Sequence, residues 1–230
     1  MDILFVVPEN SIKGQIVIED VSSKYELCKN VRIFILINDI DAVGEIQRIC
    51  DAKSLPYQKV SDLSLKTAAP IAKNFDLCVV CGWGWIVSCE FIDQCNIILN
   101  CHSSYLPDYK GASVYYHQWA NCEAIGGATI HYLTDKVDMG DIVEQDTFEI
   151  SIKDSPHDIL VNASHLTTHL VGSVIDNFLE LGAITPTESQ QGGRYFLKTP
   201  YWKLRIYRFI NVFLYKLNAD WRIYTPHKWM

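Results

Sequence analysis

The chain has 230 residues, of which 49% are apolar and 20% charged, and it carries a net charge of −7 at pH 7. That is enough for one ample globular domain with an appendage, and the acidic balance disfavours a nucleic-acid partner. No apolar run reaches the length of a membrane span and Ile3 to Val7 is too short for a secretory leader, so no integral membrane segment and a cytoplasmic location are expected.

In chain order, Ile3 to Val7 reads as a buried strand, and Ser11 as the cap of a helix running towards Leu27. A second strand is expected over Val31 to Ile37, a helix over Asp41 to Cys50, a short strand over Tyr57 to Val60 and a helical stretch over Ser61 to Asn74. Asp76 to Val80 is the next central strand, and Ser88 to Gln94 a short helix leading into the apolar run Ile97-Ile98-Leu99. A helix is expected over Ala112 to Ala124, ended by Gly126-Gly127, then strands over Ala128 to Leu133 and Ile142 to Phe148. Ser155-Pro156 opens a long helix that Gly182 closes. Strands alternating with helices give an α/β fold: a Rossmann-like, mostly parallel sheet with helices on both faces over residues 1–184. Residues 185–230 are expected to form a short appendage. It comprises a polar linker over Thr185 to Gly193, a short strand at Arg194-Tyr195-Phe196 and an apolar, basic segment over Tyr201 to Leu217. That last segment suits packing on the domain, a subunit interface or an anionic membrane surface, with packing or interface preferred.

Eight cysteines are present, and Cys78-x-x-Cys81 has the spacing of a redox or metal pair. It lies inside an expected strand, where residues three apart face opposite ways, and no second pair with zinc spacing follows. Buried, reduced thiols and no metal are therefore expected. His165 and His169 stand one helical turn apart without an acidic third ligand, and read as part of a polar helix face. There is no G-x-G-x-x-G or Walker pattern, so a dinucleotide site is not expected.

The chemistry concentrates in Asn100 to Gly140. Asn100 and His102 follow the apolar run, two residues apart, so they share a face at the carboxyl end of a strand, where open α/β sheets place their ligands. Asp138 sits on a turn after a later apolar run. An amide N–H and an imidazolium can both donate to an oxygen gaining negative charge. A carboxylate beside the imidazole favours its protonated form and can take a proton from an attacking amine. The trio suits acyl transfer to an amine. The Gly82-Trp83-Gly84-Trp85-Ile86 stretch, at another strand end, offers apolar walls and free backbone groups for a flat heterocycle. Cys101, between Asn100 and His102, should point away from them.

The run N-C-H-S-S-Y-L-P-D-Y-K-G, followed by G-A-T-I-H-Y-L-T-D-K-V-D-M-G-D-I-V, resembles the formyl-tetrahydrofolate-dependent formyltransferase family through N-x-H…L-P-x-x-x-G…T-x-H…D-x-G. The likeness is strongest over about Asp76 to Gln145. It implies that Asn100, His102 and Asp138 are catalytic, that Trp83, Gly84, Trp85, Ile86 and Val87, with Asp135 beside them, hold the pterin of 10-formyltetrahydrofolate, and that His131 stands behind the site. It also implies that the loop Ser103 to Gly111 borders the place where donor and acceptor meet, so that Ser103, Tyr105, Leu106 and Lys110 contact the acceptor. Among the branches of this family, the purine enzyme wants a glycine-rich first loop that Pro8-Glu9-Asn10-Ser11 does not match. The tRNA-modifying branch adds a large C-terminal domain, and the deformylase branch a domain before the core. Enzymes that formylate nucleotide-linked amino sugars for surface polysaccharide remain, and Gly192-Gly193-Arg194-Tyr195 is similar to their tails. A nucleotide-linked amino sugar is the expected acceptor and a homodimer the expected assembly. A formyltransferase acting on another small amine such as a purine-pathway intermediate, a formyltetrahydrofolate hydrolase, and a folate- or sugar-binding protein without turnover are the alternatives.

Overall fold

The computed structural model describes residues 1–217 and 223–229. Its main sheet has seven strands: β1 (Asp2–Val7), β2 (Arg32–Asn38), β3 (Tyr57–Val60), β4 (Leu77–Cys81), β5 (Ile98–His102), β7 (Ile125–Tyr132) and β8 (Ile142–Glu149). Their spatial order is β3-β2-β1-β4-β5-β7-β8. The first five run parallel, while β7 is antiparallel to both β5 and β8. The expected mostly parallel α/β sheet is thus present, with an antiparallel edge. Alternation along the strands splits the core in two. Ile3, Phe5 and Val7 face the helices α1 (Ile12–Tyr25) and α6 (Pro156–Leu181) through Val17, Ile18, Leu170 and Val174. Leu4, Val6 and Leu36 face Ala68, Ala72 and Phe91 on the other side, where α3 (Ala69–Ala72) and α4 (Cys89–Gln94) lie. The same alternation puts Cys78 in one cluster and Cys81 in the other, and all eight cysteines are free thiols.

Local chemistry sets the helix ends. Ser11 accepts the Gly14 N–H, and Ser155 forms a reciprocal capping box with Asp158 before Pro156. Helix α2 (Glu45–Lys53) begins later than expected, because its cap is Gly44 and its amides are satisfied from a distance: the buried Glu9 carboxylate accepts the N–H groups of Gly44 and Gln47 at 3.0 and 3.2 Å.

Two sequence expectations are corrected. Ser61 to Asn74 is not one helix but a loop, a 3₁₀ turn at Lys66–Ala68 and the single turn α3. The Asp62 carboxylate accepts the Ser64 and Thr67 N–H groups and Leu65 is left-handed, so a local side-chain network displaces the helical ladder. Helix α5 spans only Val114–Ala120, and Gly126 and Gly127 lie inside β7 rather than at a helix end. The glycines are needed there because β7 is crowded from both sides. A Cβ would stand 2.5 Å from the Phe148 ring at Gly126 and 2.9 Å from the Asp146 carbonyl and Tyr105 backbone at Gly127.

A second sheet of three strands, β10-β9-β6, joins the tail to the loop that follows β5. In it β9 (Arg194–Phe196) pairs in parallel with β6 (Lys110–Gly111) and antiparallel with β10 (His227–Trp229). The expected short strand at Arg194–Phe196 is therefore present, and it is built onto the loop between β5 and α5. The linker before it pairs with β8 through the Ile142 N–H to the Glu188 carbonyl and the Thr187 N–H to the Ile142 carbonyl. Helix α7 (Tyr201–Lys216) packs on α5. The expected appendage's residues 218–222 and 230 lie outside the described residues.

His117 on α5 fastens this tail. Its Nε2–H donates to the Leu197 carbonyl at 2.9 Å and its Nδ1 accepts from the Thr225 hydroxyl at 2.8 Å. Burial pushes its pKa down to about 4. The unfolded chain, with an ordinary histidine near 6.5, then binds more protons than the folded one between pH 6.5 and 4. The stability His117 contributes is present above pH 6.5 and lost as pH falls through that window, by up to about 3 kcal/mol at pH 4. Thermal melts of the wild type should drop faster over that range than melts of His117→Gln; parallel curves would contradict this.

Candidate active site

Strand β5 carries Asn100 and His102 on one face, as their spacing predicts. Register with β7 sets His131 opposite Asn100 and Thr129 opposite His102. Asp138 arrives on the turn between β7 and β8, in a left-handed conformation with φ of 51°. The three side chains converge on Asp138 Oδ1. Asn100 Nδ2 and His102 Nδ1 both stand 3.5 Å from it, and His131 Nε2 is 3.7 Å away. Asp138 Oδ2 accepts the Gly111 N–H at 2.7 Å.

The hydrogen bonds assign the ring nitrogens. His131 Nδ1–H donates to the Tyr132 carbonyl at 2.9 Å, leaving Nε2 to accept from Asn100 Nδ2 at 3.0 Å. His102 Nε2–H donates to the Tyr109 carbonyl at 2.8 Å, leaving Nδ1 towards Asp138. Burial alone would push the Asp138 carboxyl up, but the facing histidines and the Gly111 N–H outweigh it and hold the group well below the usual carboxylate range. Burial pushes His102 down, against the pull of Asp138. The resting pair is therefore carboxylate and neutral imidazole. This differs from the protonated His102 expected from sequence, because a strand-end histidine with 6% exposure loses more by desolvation than the carboxylate returns.

Two hollows meet at this cluster. A narrow recess of about 100 Å³ is lined by Trp83, Trp85, Ile86, Val87, Leu133 and the 134–138 turn, including Asp135. A cleft of about 800 Å³ lies beside it, lined among others by Lys13, Ser103, Tyr115, Tyr195 and Lys198. Trp83, Trp85, Ile86, Asn100, Val137 and Asp138 line both. Trp83 is fixed by its Nε1–H to the Leu63 carbonyl at 3.0 Å and meets Trp85 edge-on at 5.1 Å. Of the expected pterin contacts, only Gly84 misses the recess; it lines the larger cleft.

The four expected acceptor contacts fare differently. Ser103 lines the cleft. Leu106 is buried, with its N–H donating to Thr129 Oγ1, and Tyr105 points outwards beside Gly127. Lys110 is fully buried, and its ammonium donates to the Gly192 carbonyl at 2.7 Å. These three turn away from both hollows because the loop is held by the Thr129 side chain of β7 on one side and by the tail on the other. Sequence reasoning missed Lys13, Tyr115, Tyr195 and Lys198. Lys13 alone left a trace, in the first turn of a helix that starts at a strand's carboxyl end; its Nζ donates to the Cys101 carbonyl at 2.9 Å. Cys101 itself joins the core cluster beside α1, as alternation predicts. His165 and His169 are exposed on α6. Among the described residues no group of three or more His, Cys, Asp or Glu is placed to hold a metal ion, and no helix is long and apolar enough to cross a membrane.

A family model described as formyl transferase matches residues 38–174. The chain belongs to this family. Its matched region covers both hollows' shared wall, from the Trp83 turn to Asp138. Among curated formyl transferase relatives, it is 34% identical over 113 residues to a formyltetrahydrofolate deformylase of Synechocystis, an alignment spanning 48% of this chain and 40% of that one. It is 32% identical over 120 residues to a methionyl-tRNA formyltransferase of Nitratiruptor, spanning 52% of this chain and 38% of that one. The chain thus spans about 40% of the length of these curated relatives. Solved structures share the fold. A glycinamide ribonucleotide transformylase from Symbiobacterium toebii superposes with a TM-score of 0.70 at 18% identity, over 82% of this chain and 92% of that one. A sugar N-formyltransferase from Shewanella superposes with a TM-score of 0.67 at 16% identity, over 91% of this chain and 88% of that one.

Proposed function

We propose that the chain transfers a formyl group from 10-formyltetrahydrofolate to the primary amine of a nucleotide-linked amino sugar. The observation that carries this reading is the shared wall: Asn100 and Asp138 line both the tryptophan-lined recess and the large cleft. A donor entering from one hollow and an amine entering from the other would meet at them. The pterin lies between Trp83, Trp85 and the 134–137 turn. The cleft offers Tyr115 and Tyr195 as faces for a base and Lys13 and Lys198 as cations for phosphates. Helix α1's first turn is already capped by Ser11, and Glu9 is committed to α2, so this first loop differs from a glycine-rich phosphate cradle.

In the proposed reaction the neutral amine attacks the formyl carbon. Asn100 Nδ2 donates to the oxygen that becomes negative. The amine proton passes to the open Nδ1 of His102, directly or by way of Asp138, and the resulting imidazolium is stabilised by the Asp138 carboxylate and joins Asn100 as an oxyanion donor. Collapse breaks the bond between the formyl carbon and N10 as that proton is returned to N10, which expels tetrahydrofolate and leaves a formamide. The reaction is tested by incubating the chain with donor and a panel of dTDP-, UDP-, GDP- and CMP-linked amino sugars. One member should gain 28 mass units; no gain across the panel would overturn the sugar acceptor. The deformylase likeness favours a second reading, in which water replaces the amine and formate appears without any acceptor.

Trp85 is 42% exposed at the mouth of the recess, where its ring meets Trp83 edge-on. Trp85→Ala is expected to weaken donor binding roughly two- to tenfold, as loss of one aromatic contact does. Titration of the donor against intrinsic fluorescence checks this, and an unchanged affinity would place the pterin elsewhere.

A further inference from the structure

Helix α7 gives one face to the protein. Leu204, Arg208 and Asn211 are buried; Arg208 donates to the Trp119 carbonyl at 2.7 Å and Asn211 to the Ala120 carbonyl at 2.9 Å. The opposite face is exposed among the described residues. Trp202, Ile206, Phe209 and Phe213 are between 51% and 75% exposed. Their spacing of four, three and four residues puts them on one stripe along the helix axis. Basic side chains border that stripe. At 100° per residue, Arg205 and Lys216 fall along one edge and Lys203 along the other, and all three are exposed. The Lys203 ammonium stands 5.5 Å from the Trp202 ring. Between Tyr201 and Lys216 there is no acidic residue, in a chain whose net charge is −7.

We propose that this face of α7 lies in the plane of an anionic lipid bilayer surface. Three features select that occupant. The apolar stripe is one helical row wide, which suits burial of a shallow face among headgroups and upper acyl chains rather than a span. The positive charges flank it on both sides, where anionic headgroups would sit. A second copy presenting the same face would set the basic edges of one helix against the basic edges of the other, an unfavourable like-charge contact. A nucleic acid would use the cations but would gain nothing from burying Ile206 and Phe213. The inference does not depend on the reaction proposed above, since none of these side chains lines either hollow.

The test is sedimentation of the full chain with vesicles of phosphatidylglycerol and phosphatidylcholine, against vesicles of phosphatidylcholine alone, with light scattering run in parallel. The wild type should sediment with the anionic vesicles and be released by high salt. Each basic side chain near such a surface strengthens binding about fivefold, so the triple variant Lys203→Gln/Arg205→Gln/Lys216→Gln should bind roughly 100-fold more weakly. Phe209→Glu should abolish sedimentation without lowering the melting temperature, because the position is exposed. Equal partition onto both vesicle types, or no sedimentation at all, would overturn the proposal. So would a Phe209→Glu variant that converts a dimer to a monomer while vesicle binding stays the same, which would assign the face to a second copy.

Discussion

Asn100→Ala is expected to lower turnover by roughly 100- to 1,000-fold, the usual loss when one oxyanion donor is removed. The amide sits where the two hollows join, and its Nδ2 is oriented by His131, whose own tautomer is set by the Tyr132 carbonyl. Alanine removes the donor and leaves that chain of support in place, so the loss should fall on turnover rather than on donor affinity. Asp138→Asn provides the companion test. Asparagine tolerates the left-handed backbone that Asp138 adopts and keeps nearly the same shape, but it carries no charge and cannot take the amine proton. A comparable loss of turnover with a nearly unchanged melting temperature is expected. Steady-state rates and melts of the two variants check both statements together. Near-normal turnover in either would remove that residue from the chemistry.

Gly111→Ala is expected to damage stability and catalysis at once. Gly111 has a φ of 106°, outside the left-handed well that other residues tolerate, and a Cβ there would stand 2.3 Å from the Phe196 carbonyl on β9. Either the strand pair β6–β9 opens or the backbone turns. In both cases the Gly111 N–H leaves Asp138 Oδ2, to which it now donates at 2.7 Å. The strain alone is worth about 3 kcal/mol, which in a chain of this size lowers the melting temperature by roughly 6–12 °C. Gly111 therefore couples the tail to the site. A Gly111→Ala protein with wild-type melting and turnover would show that β9 does not brace the Asp138 turn.

The parts of this molecule that were legible in its sequence are those decided by near neighbours. Apolar runs marked β1, β2, β4 and β5, and Ser155 and Gly182 marked the ends of α6, because strand burial and helix capping act within a few residues. The convergence of Asn100, His102 and Asp138 was legible from the motif and from strand alternation. What escaped was set by distant partners. Gly126 and Gly127 read as a helix stop, but Phe148 and Tyr105 are what require them. Lys110 read as an acceptor contact, whereas its partner is the carbonyl of Gly192 in the tail. The charge on His102 was misjudged because burial is a property of the packed site. Tyr195 and Lys198 reach the cleft only because β9 pairs with β6, a contact that no local pattern announces.

The most direct measurement follows a ¹³C-labelled formyl carbon from 10-formyltetrahydrofolate by NMR, with wild type and Asn100→Ala, in the presence of the amino sugar nucleotide selected from the panel. The label should move into a formamide at a rate that the variant lowers at least about 100-fold while its donor affinity stays close to wild type. Label released only as formate whether or not the amine is present, or a formamide formed equally fast by the variant, would contradict the account.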